Sequence, residues 1–142
     1  DLAAQRPIVV TACRADRSVR VWNFAVRRCE LHWEFPGEEP TDVAVHPLGY
    51  LLAVSFGDRL RLLQILVNEL KPHRELPVRG VRTVRFSNGG HLLAAALGKH
   101  VAIFSVRTLS KLTTLKGGHS HAVCALCFDP DDRSLTSCGE DG

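Results

Sequence analysis

The fold is indicated by a six-residue segment, SVRVWN at residues 18–23, which recurs farther along the chain. Its counterparts are RLRLLQ at residues 59–64 and HVAIFS at residues 100–105. The fifth residue of each copy lies 41 residues from the next, at Trp22, Leu63 and Phe104. Apolar and polar side chains alternate in the first copy, which is typical of a β-strand with one buried face. The chain therefore contains a structural repeat with a period near 41.

A second set of segments repeats with the same period. Three times, a short stretch and a turn precede a second run: VAVHPLG before LLAVS, VRFSNGG before LLAAA, and LCFDPDD before SLTSC. Val45 and Phe86 lie 41 residues apart, and Phe86 and Phe128 lie 42 apart. Because independent markers agree within one residue, the repeat is not a coincidence of composition.

Each repeat unit is predicted to form four short strands. The first strand alternates, a cluster of Pro, Gly, Asn or Asp makes a tight turn, and the second strand is an apolar run that suits burial on both faces. A third alternating strand follows, and then a more polar fourth strand. Pro72 in one fourth strand fits an outer edge, where a missing N–H is harmless. About 13 strands and no helix are predicted, in a partial unit at 1–40, complete units at 41–80 and 81–121, and a partial unit at 122–142.

Composition restricts the class of protein. The 142 residues are 45% hydrophobic and 23% charged, with a mean hydropathy of +0.00, which excludes general disorder, collagen and coiled coil. No apolar run approaches the roughly 18 residues that cross a bilayer. The chain begins at Asp1, has no methionine and shows no secretory leader, so we expect it to be a piece of a longer protein.

The repeat resembles the WD-repeat family of β-propellers, whose blades are four-stranded sheets. Asp16 with Trp22-Asn23 is similar to the family's turn aspartate and Trp-Asp pair, with Asn in the Asp position. Gly118-His119 and the later Ser137 and Asp141 resemble the other half of the same motif. Two units are degenerate, because other residues stand at the Trp-Asp and turn-Asp positions: Leu63-Gln64, Phe104-Ser105, Gly57 and Gly98.

The resemblance implies an all-β fold, a partial WD-repeat β-propeller of about three blades' worth. Its structural motif would comprise Asp16, Trp22, His119, Ser137 and Asp141. Trp22 is predicted to lie in the core, so Trp22→Ala is expected to cost about 3 to 5 kcal/mol. A ring needs roughly four to eight blades. The isolated arc is therefore expected to fold poorly or aggregate through its open edges, and the remaining blades of the same propeller are its first expected partner.

The middle of the chain is similar to a subgroup of ciliary and flagellar WD-repeat proteins. The similarity rests on SFGDRLRL at residues 55–62, FSNGGHL at residues 86–92 and LKGGH at residues 115–119. The resemblance implies a non-enzymatic scaffold in the cytoplasm and cytoskeleton, specifically in the axoneme of a cilium or flagellum. Its expected partners are axonemal dynein or inner-arm components, or tubulin. It would support the motility of the cilium.

Two motifs invite a chemical interpretation, and each has a structural alternative. His119, Ser137 and Asp141 are the residue types of a nucleophilic triad, but they are also those of the hydrogen-bond network inside WD blades. Cys124 and Cys127, with nearby histidines, are residue types that bind zinc, but residues three apart on a strand point to opposite faces. We therefore predict no catalytic, metal or cofactor site. The five cysteines are interpreted as buried small hydrophobes in a reducing compartment.

Charge is distributed unevenly, and its basic block is the one surface feature that suggests binding. Residues 59–116 carry eleven basic and two acidic side chains, whereas the segments on either side are acidic. Such a block attracts anionic partners. The candidate partner-binding residues are Arg59, Arg61, Arg79, Arg82 and Arg85. The alternative is a solvated rim. The carboxylates at Glu38-Glu39 and Asp131-Asp132 are interpreted as solvated turn residues.

Three classes of function follow. The first is the axonemal scaffold. The second is a general WD-repeat adaptor outside cilia, as in a ubiquitin-ligase or chromatin-type complex. The third is nucleic-acid binding through phosphate contacts of the basic block. Nucleic acid is the disfavoured partner because aromatic residues make up only 6% of the chain and Trp22 and Phe86 are expected to be structural.

Overall fold

The computed structural model covers all 142 residues. It contains thirteen β-strands and no helix, which confirms the predicted all-β class. A helix capable of crossing a membrane is absent. The strands are β1 Ile8–Cys13, β2 Ser18–Asn23, β3 Arg28–Glu34, β4 Asp42–Val45, β5 Leu51–Ser55, β6 Leu60–Ile65, β7 Leu70–Leu76, β8 Val81–Phe86, β9 Leu92–Leu97, β10 His100–Ser105, β11 Lys111–Leu115, β12 Val123–Phe128 and β13 Leu135–Gly139.

The strands form four antiparallel sheets in chain order: β1-β2-β3, β4-β5-β6-β7, β8-β9-β10-β11 and β12-β13. The strands of each sheet come from one repeat unit. A bulge interrupts the pairing of the last two strands of each of the first three sheets at the same place, between residues 21 and 22, 62 and 63, and 103 and 104. The recurrence of this irregularity every 41 residues shows that the repeat extends to backbone geometry.

The sheets pack face to face, with a hydrophobic cluster between each sheet and the next. Strand β5 is buried along its whole length. Its Leu52 and Val54 pack toward the first sheet, while Leu51 and Ala53 pack toward the third. In β9 the three residues 94–96 are alanines with no exposed surface. Small apolar side chains on both faces therefore suit the inner strands to close packing between sheets.

Neighbouring sheets also meet through the turns between their first and second strands. His46, in the turn before β5, is buried, and its Nε2 lies 2.9 Å from the carbonyl oxygen of Gly90 in the turn before β9. The His46 ring also packs against Phe86, with ring centroids 5.4 Å apart. Gly90 has a positive φ of 75°. A side chain at this position would collide with the imidazole, so glycine is required by both backbone and contact.

Two expectations about burial were wrong. Trp22 is 39% exposed in this chain, because it lies on the face of β2 opposite the buried Val19 and Val21, and no other sheet of the chain covers that face. The cysteines are not buried either: Cys13 is partly exposed and the other four are exposed. Cys124 and Cys127 occupy exposed positions of β12, whereas the buried residues of that strand are Val123 and Leu126.

We expect Gly90→Ala to destabilise the intact propeller more than Gly37→Ala. Both glycines have positive φ, which costs an L-residue about 1 to 2 kcal/mol, but only at Gly90 would the added methyl meet His46, whereas Gly37 has open space. Overlap in a packed contact adds about 1 to 3 kcal/mol. Urea unfolding of the two variants measures the difference. Equal losses of unfolding free energy would show that His46 can move away from the added methyl group at no cost.

Candidate functional site

The three residues of the triad-like motif lie together at the last sheet. His119 precedes β12, Ser137 lies in β13, and Asp141 follows it. The His119 Nδ1 atom is 2.9 Å from Asp141 Oδ1, and its Nε2 atom is 2.8 Å from Ser137 Oγ. The Ser120 N–H donates to the second carboxylate oxygen of Asp141 at 2.7 Å. These bonds, chiefly the one from His119, hold the pKa of Asp141 well below its usual range.

The hydrogen bonds of this network connect the loop before β12, strand β13 and the turn that follows β13. Five cavities of the chain are lined by residues other than His119 and Ser137. Acyl transfer needs a substrate pocket beside the nucleophile and donors for the oxyanion. The bonds themselves explain the residue types, because they tie the loop before β12 to the sheet.

The first sheet carries the matching half of the motif. The Ser18 hydroxyl donates to Asp16 Oδ1 at 2.7 Å, and Arg20 lies 2.8 Å from the same carboxylate. The hydrogen bond from Ser18 is the main reason that the pKa of Asp16 falls to about 2. Trp22 Nε1 donates to Thr11 Oγ1 at 2.9 Å. Sequence reasoning missed Thr11. This residue lies in β1, the second strand of its repeat unit, just as Ser137 lies in β13, the second strand of the last unit.

The second sheet, whose unit lacks the Trp and the turn Asp, is joined to the first by Arg61. This residue lies on β6, and its side chain is only 17% exposed. Its guanidinium is 2.8 Å from Glu38 and 2.5 Å from Glu75. It also lies over the rings of Phe35 and Phe56, at 5.7 and 5.1 Å. Burial disfavours the charged guanidinium, but the bonds to Glu38 and Glu75 outweigh it and raise the pKa of Arg61.

The third sheet is joined to the second by Asp42. One carboxylate oxygen of Asp42 accepts from the Thr83 hydroxyl at 2.6 Å and from the Val84 N–H at 3.0 Å. The guanidinium of Arg85 lies 3.2 Å from the same oxygen. Asp42 begins β4 and the other three residues lie in β8. A single carboxylate therefore links the first strands of two neighbouring sheets.

A third inter-sheet link uses the turn of the last sheet. Asp132 accepts from the backbone N–H groups of Asn88 and Gly89 at 2.7 and 2.6 Å. These bonds outweigh burial of the carboxylate, the largest single influence, and lower the pKa of Asp132. The interpretation of Glu38 and Asp132 as solvated turn residues was wrong. Glu38 pairs with Arg61 of the following repeat unit, and Asp132 bonds to the turn of the preceding unit.

The five arginines of the predicted binding surface do not form a free basic patch. Arg59 lies 2.7 Å from Asp58 and 3.5 Å from Glu38, and Arg82 lies 2.5 Å from Glu140. Arg61 and Arg85 are held by the carboxylates described above. Arg79 alone among the five has no carboxylate oxygen within 4 Å. Four of the five candidate arginines are thus paired with carboxylates, most of which come from the segments before and after the basic block.

The partners that sequence reasoning missed have a recognisable signal. Asp42 and Thr83 are 41 residues apart, and Asn88 and Asp132 are 44 apart. Polar residues one period apart occupy equivalent strands or turns of neighbouring sheets. A search for complementary polar pairs at the repeat spacing would therefore have found them. The candidate zinc pair has no such support, since the structure contains no group of three or more potential ligands.

Arg61→Met is expected to destabilise the propeller by about 2 kcal/mol, because it removes the nearer and less exposed of the two cations beside Glu38 and Glu75 while keeping the packing of the stem. Arg59→Met is the matched control, because Arg59 contacts the same two carboxylates from a more exposed position. We expect a smaller loss for the control. Denaturant unfolding measures both. Equal effects would mean that Arg61 has no special structural role.

Stability is expected to fall in acid through Asp16 and Asp141. Their folded pKa values lie below the ordinary unfolded value near 4, so their contribution is complete above about pH 4 and is lost as pH falls toward about 2. The melting temperature of the wild type should therefore drop more between pH 5 and pH 3 than that of Asp16→Asn/Asp141→Asn. Asp131→Asn is the control, as this exposed carboxylate makes no hydrogen bond. A parallel decline in all three proteins would contradict the assignment.

Comparison with known proteins agrees with the geometry. The family model described as "WD domain, G-beta repeat" matches residues 109–142. Over all 142 residues the chain is 40% identical to cilia- and flagella-associated protein 57 of Mus musculus and 33% identical to cilia- and flagella-associated protein 57 A of Tetrahymena thermophila. Over 111 residues, 75% of the chain, it is 39% identical to WD repeat-containing protein 1 of Bos taurus, of which it covers 18%.

The chain spans only 11% of the length of the two cilia- and flagella-associated relatives, although the alignment covers 100% of the chain itself. Four consecutive antiparallel sheets, a repeated bulge and the His119–Ser137–Asp141 bonds accompany this similarity. The chain is an all-β arc of four consecutive sheets, consistent with part of a β-propeller, its last 34 residues match the WD-repeat model, and it is similar along its whole length to the cilia- and flagella-associated protein 57 group.

Proposed function

We propose that this chain is an arc of a non-enzymatic WD-repeat scaffold in the axoneme of cilia and flagella. The observation that carries the proposal is similarity across the whole chain to cilia- and flagella-associated proteins of a mammal and a ciliate. WD repeats serve protein–protein interaction, and the names of these relatives support a cilium-associated WD-repeat protein.

The structure supports a scaffold by its rigidity. Each sheet is joined to the next by an apolar cluster. Side-chain bonds of Arg61, Asp42 and Asp132 reinforce the three interfaces. Loops held on such a framework can present side chains in fixed positions, so binding needs little further ordering. The triad-like residues serve this framework in our proposal and perform no chemistry.

We propose that the partners are axonemal proteins, namely inner dynein arm components or tubulin. Arg59, Arg79 and Arg82 remain the candidate contacts because they are accessible at the same end of the sheets. Arg61 and Arg85 are better explained as structural residues, because their charges are engaged between sheets. Acidic surfaces, such as the tails of tubulin, are the complementary chemistry.

The adaptor role outside cilia is less favoured, because the full-length matches are to cilia- and flagella-associated proteins. Nucleic-acid binding is also less favoured, because aromatic residues for base stacking make up only 6% of the chain. Binding to a DNA or RNA duplex that weakens steeply as the salt concentration rises would support the nucleic-acid alternative.

The test is the location of tagged full-length protein in a ciliated cell, followed by detergent and salt washing of isolated axonemes. We expect retention on washed axonemes. The Arg79→Glu variant should be released at lower salt, because it reverses the one candidate charge that has no carboxylate beside it. Arg74→Glu, on the exposed edge strand β7, is the matched control. Absence of the wild type from cilia would overturn the proposal.

A further inference from the structure

The two ends of the first two sheets differ in chemistry, whereas the turns of the third and fourth sheets carry no exposed large hydrophobic side chain at either end. The turns at residues 24–27, 46–50 and 66–69 lie at one end, which we call the apolar end. Six of the ten large hydrophobic side chains that are exposed lie in these turns: Phe24, Val26, Leu48, Tyr50, Leu66 and Val67. Val67 is 89% exposed. The turns at the opposite end carry Asp16, Asp58, Arg59 and Lys99, without any exposed large hydrophobic residue.

A groove opens at the apolar end between the first and second sheets. Its volume is about 430 Å³. Four buried side chains form its floor, namely Ile8, Val21, Leu31 and Ile65, and two exposed ones form a wall, Leu66 and Val67. Apolar surface that is concave and lies beside exposed hydrophobic residues is typical of a binding site rather than of a solvated turn.

The charges around the groove define what would fill it. Arg6 and Arg28 line it, and Arg27 is exposed next to it. None of these three arginines has a carboxylate within 4 Å, in contrast to the paired arginines of the other end. Glu30 is the one carboxylate in the lining, and it accepts a hydrogen bond from Asn23 at 2.9 Å. The free charge at the groove is therefore positive.

We propose that this groove binds an extended segment of a partner protein in which large apolar residues alternate with acidic ones. The apolar side chains would occupy the floor and contact Leu66 and Val67, and the carboxylates would pair with Arg6, Arg27 and Arg28. An extended peptide suits the site because its side chains alternate between the floor and the rim. This surface is distinct from that of Arg59, Arg79 and Arg82, and its function does not depend on a cilium.

The test uses the full-length protein and a fluorescein-labelled peptide in which Leu and Phe alternate with Asp and Glu. A second peptide carries Asn and Gln in place of the acids. We expect the acidic peptide to bind and to lose affinity as salt rises, and the neutral peptide to bind at least tenfold more weakly. Val67→Ser and Arg28→Glu should each weaken binding of the acidic peptide about tenfold.

The control variants are Leu112→Ser and Arg74→Glu, which alter an exposed leucine and an exposed arginine on outer strands β11 and β7. They should change the affinity less than twofold. The proposal is overturned if the acidic peptide does not bind, if the neutral peptide binds equally well, or if the controls lose as much. If the peptide does not bind and Val67→Ser abolishes self-association, the groove binds a second copy of the chain instead. If the peptide does not bind and Val67→Ser abolishes binding to anionic lipid vesicles, the groove contacts a membrane instead.

Discussion

The structure depends on one constraint, which is that the second strand of each repeat must be covered on both faces. Strand β5 shows the consequence, because its alternate side chains belong to two different cores, Leu52 and Val54 to one and Leu51 and Ala53 to the next. A sheet of this composition cannot be stable without neighbours. Stacking of the sheets, and hence an arc of a propeller, follows from the need to exclude these apolar faces from water.

Polar contacts decide how each sheet is placed against the next. The intact motif at the last sheet uses His119, Ser137 and Asp141 to tie down a loop. The middle units lack that motif, and Arg61 and Asp42 join their sheets through different chemistry. In the degenerate repeats, the ion pairs of Arg61 and the hydrogen bonds of Asp42 thus fulfil the structural role that the motif has in the last sheet. Because these contacts use arginines, few arginines at the end opposite the apolar end are free to bind a partner.

The repeat and the fold could be predicted because they depend on local patterns. The alternation around Trp22 and the apolar run at residues 51–55 specify strands, and their common period specifies the order of sheets. The exposure of Trp22 could not be predicted, because burial depends on whether another sheet covers that face. The role of Glu38 was missed for the same reason, since its partner Arg61 is adjacent only after two sheets have packed.

The sequence by itself determined the all-β class, the 41-residue period and the four-strand repeat unit. These properties follow from the alternation of side chains, from turn residues and from spacing, all of which are local, whereas the resemblance to the WD-repeat family grouped His119, Ser137 and Asp141 in one motif. Only the tertiary structure decided which charges are neutralised and which surfaces are free. Coulomb interactions and burial depend on distance in space, and packing one repeat against the next brings together residues that are some forty positions apart.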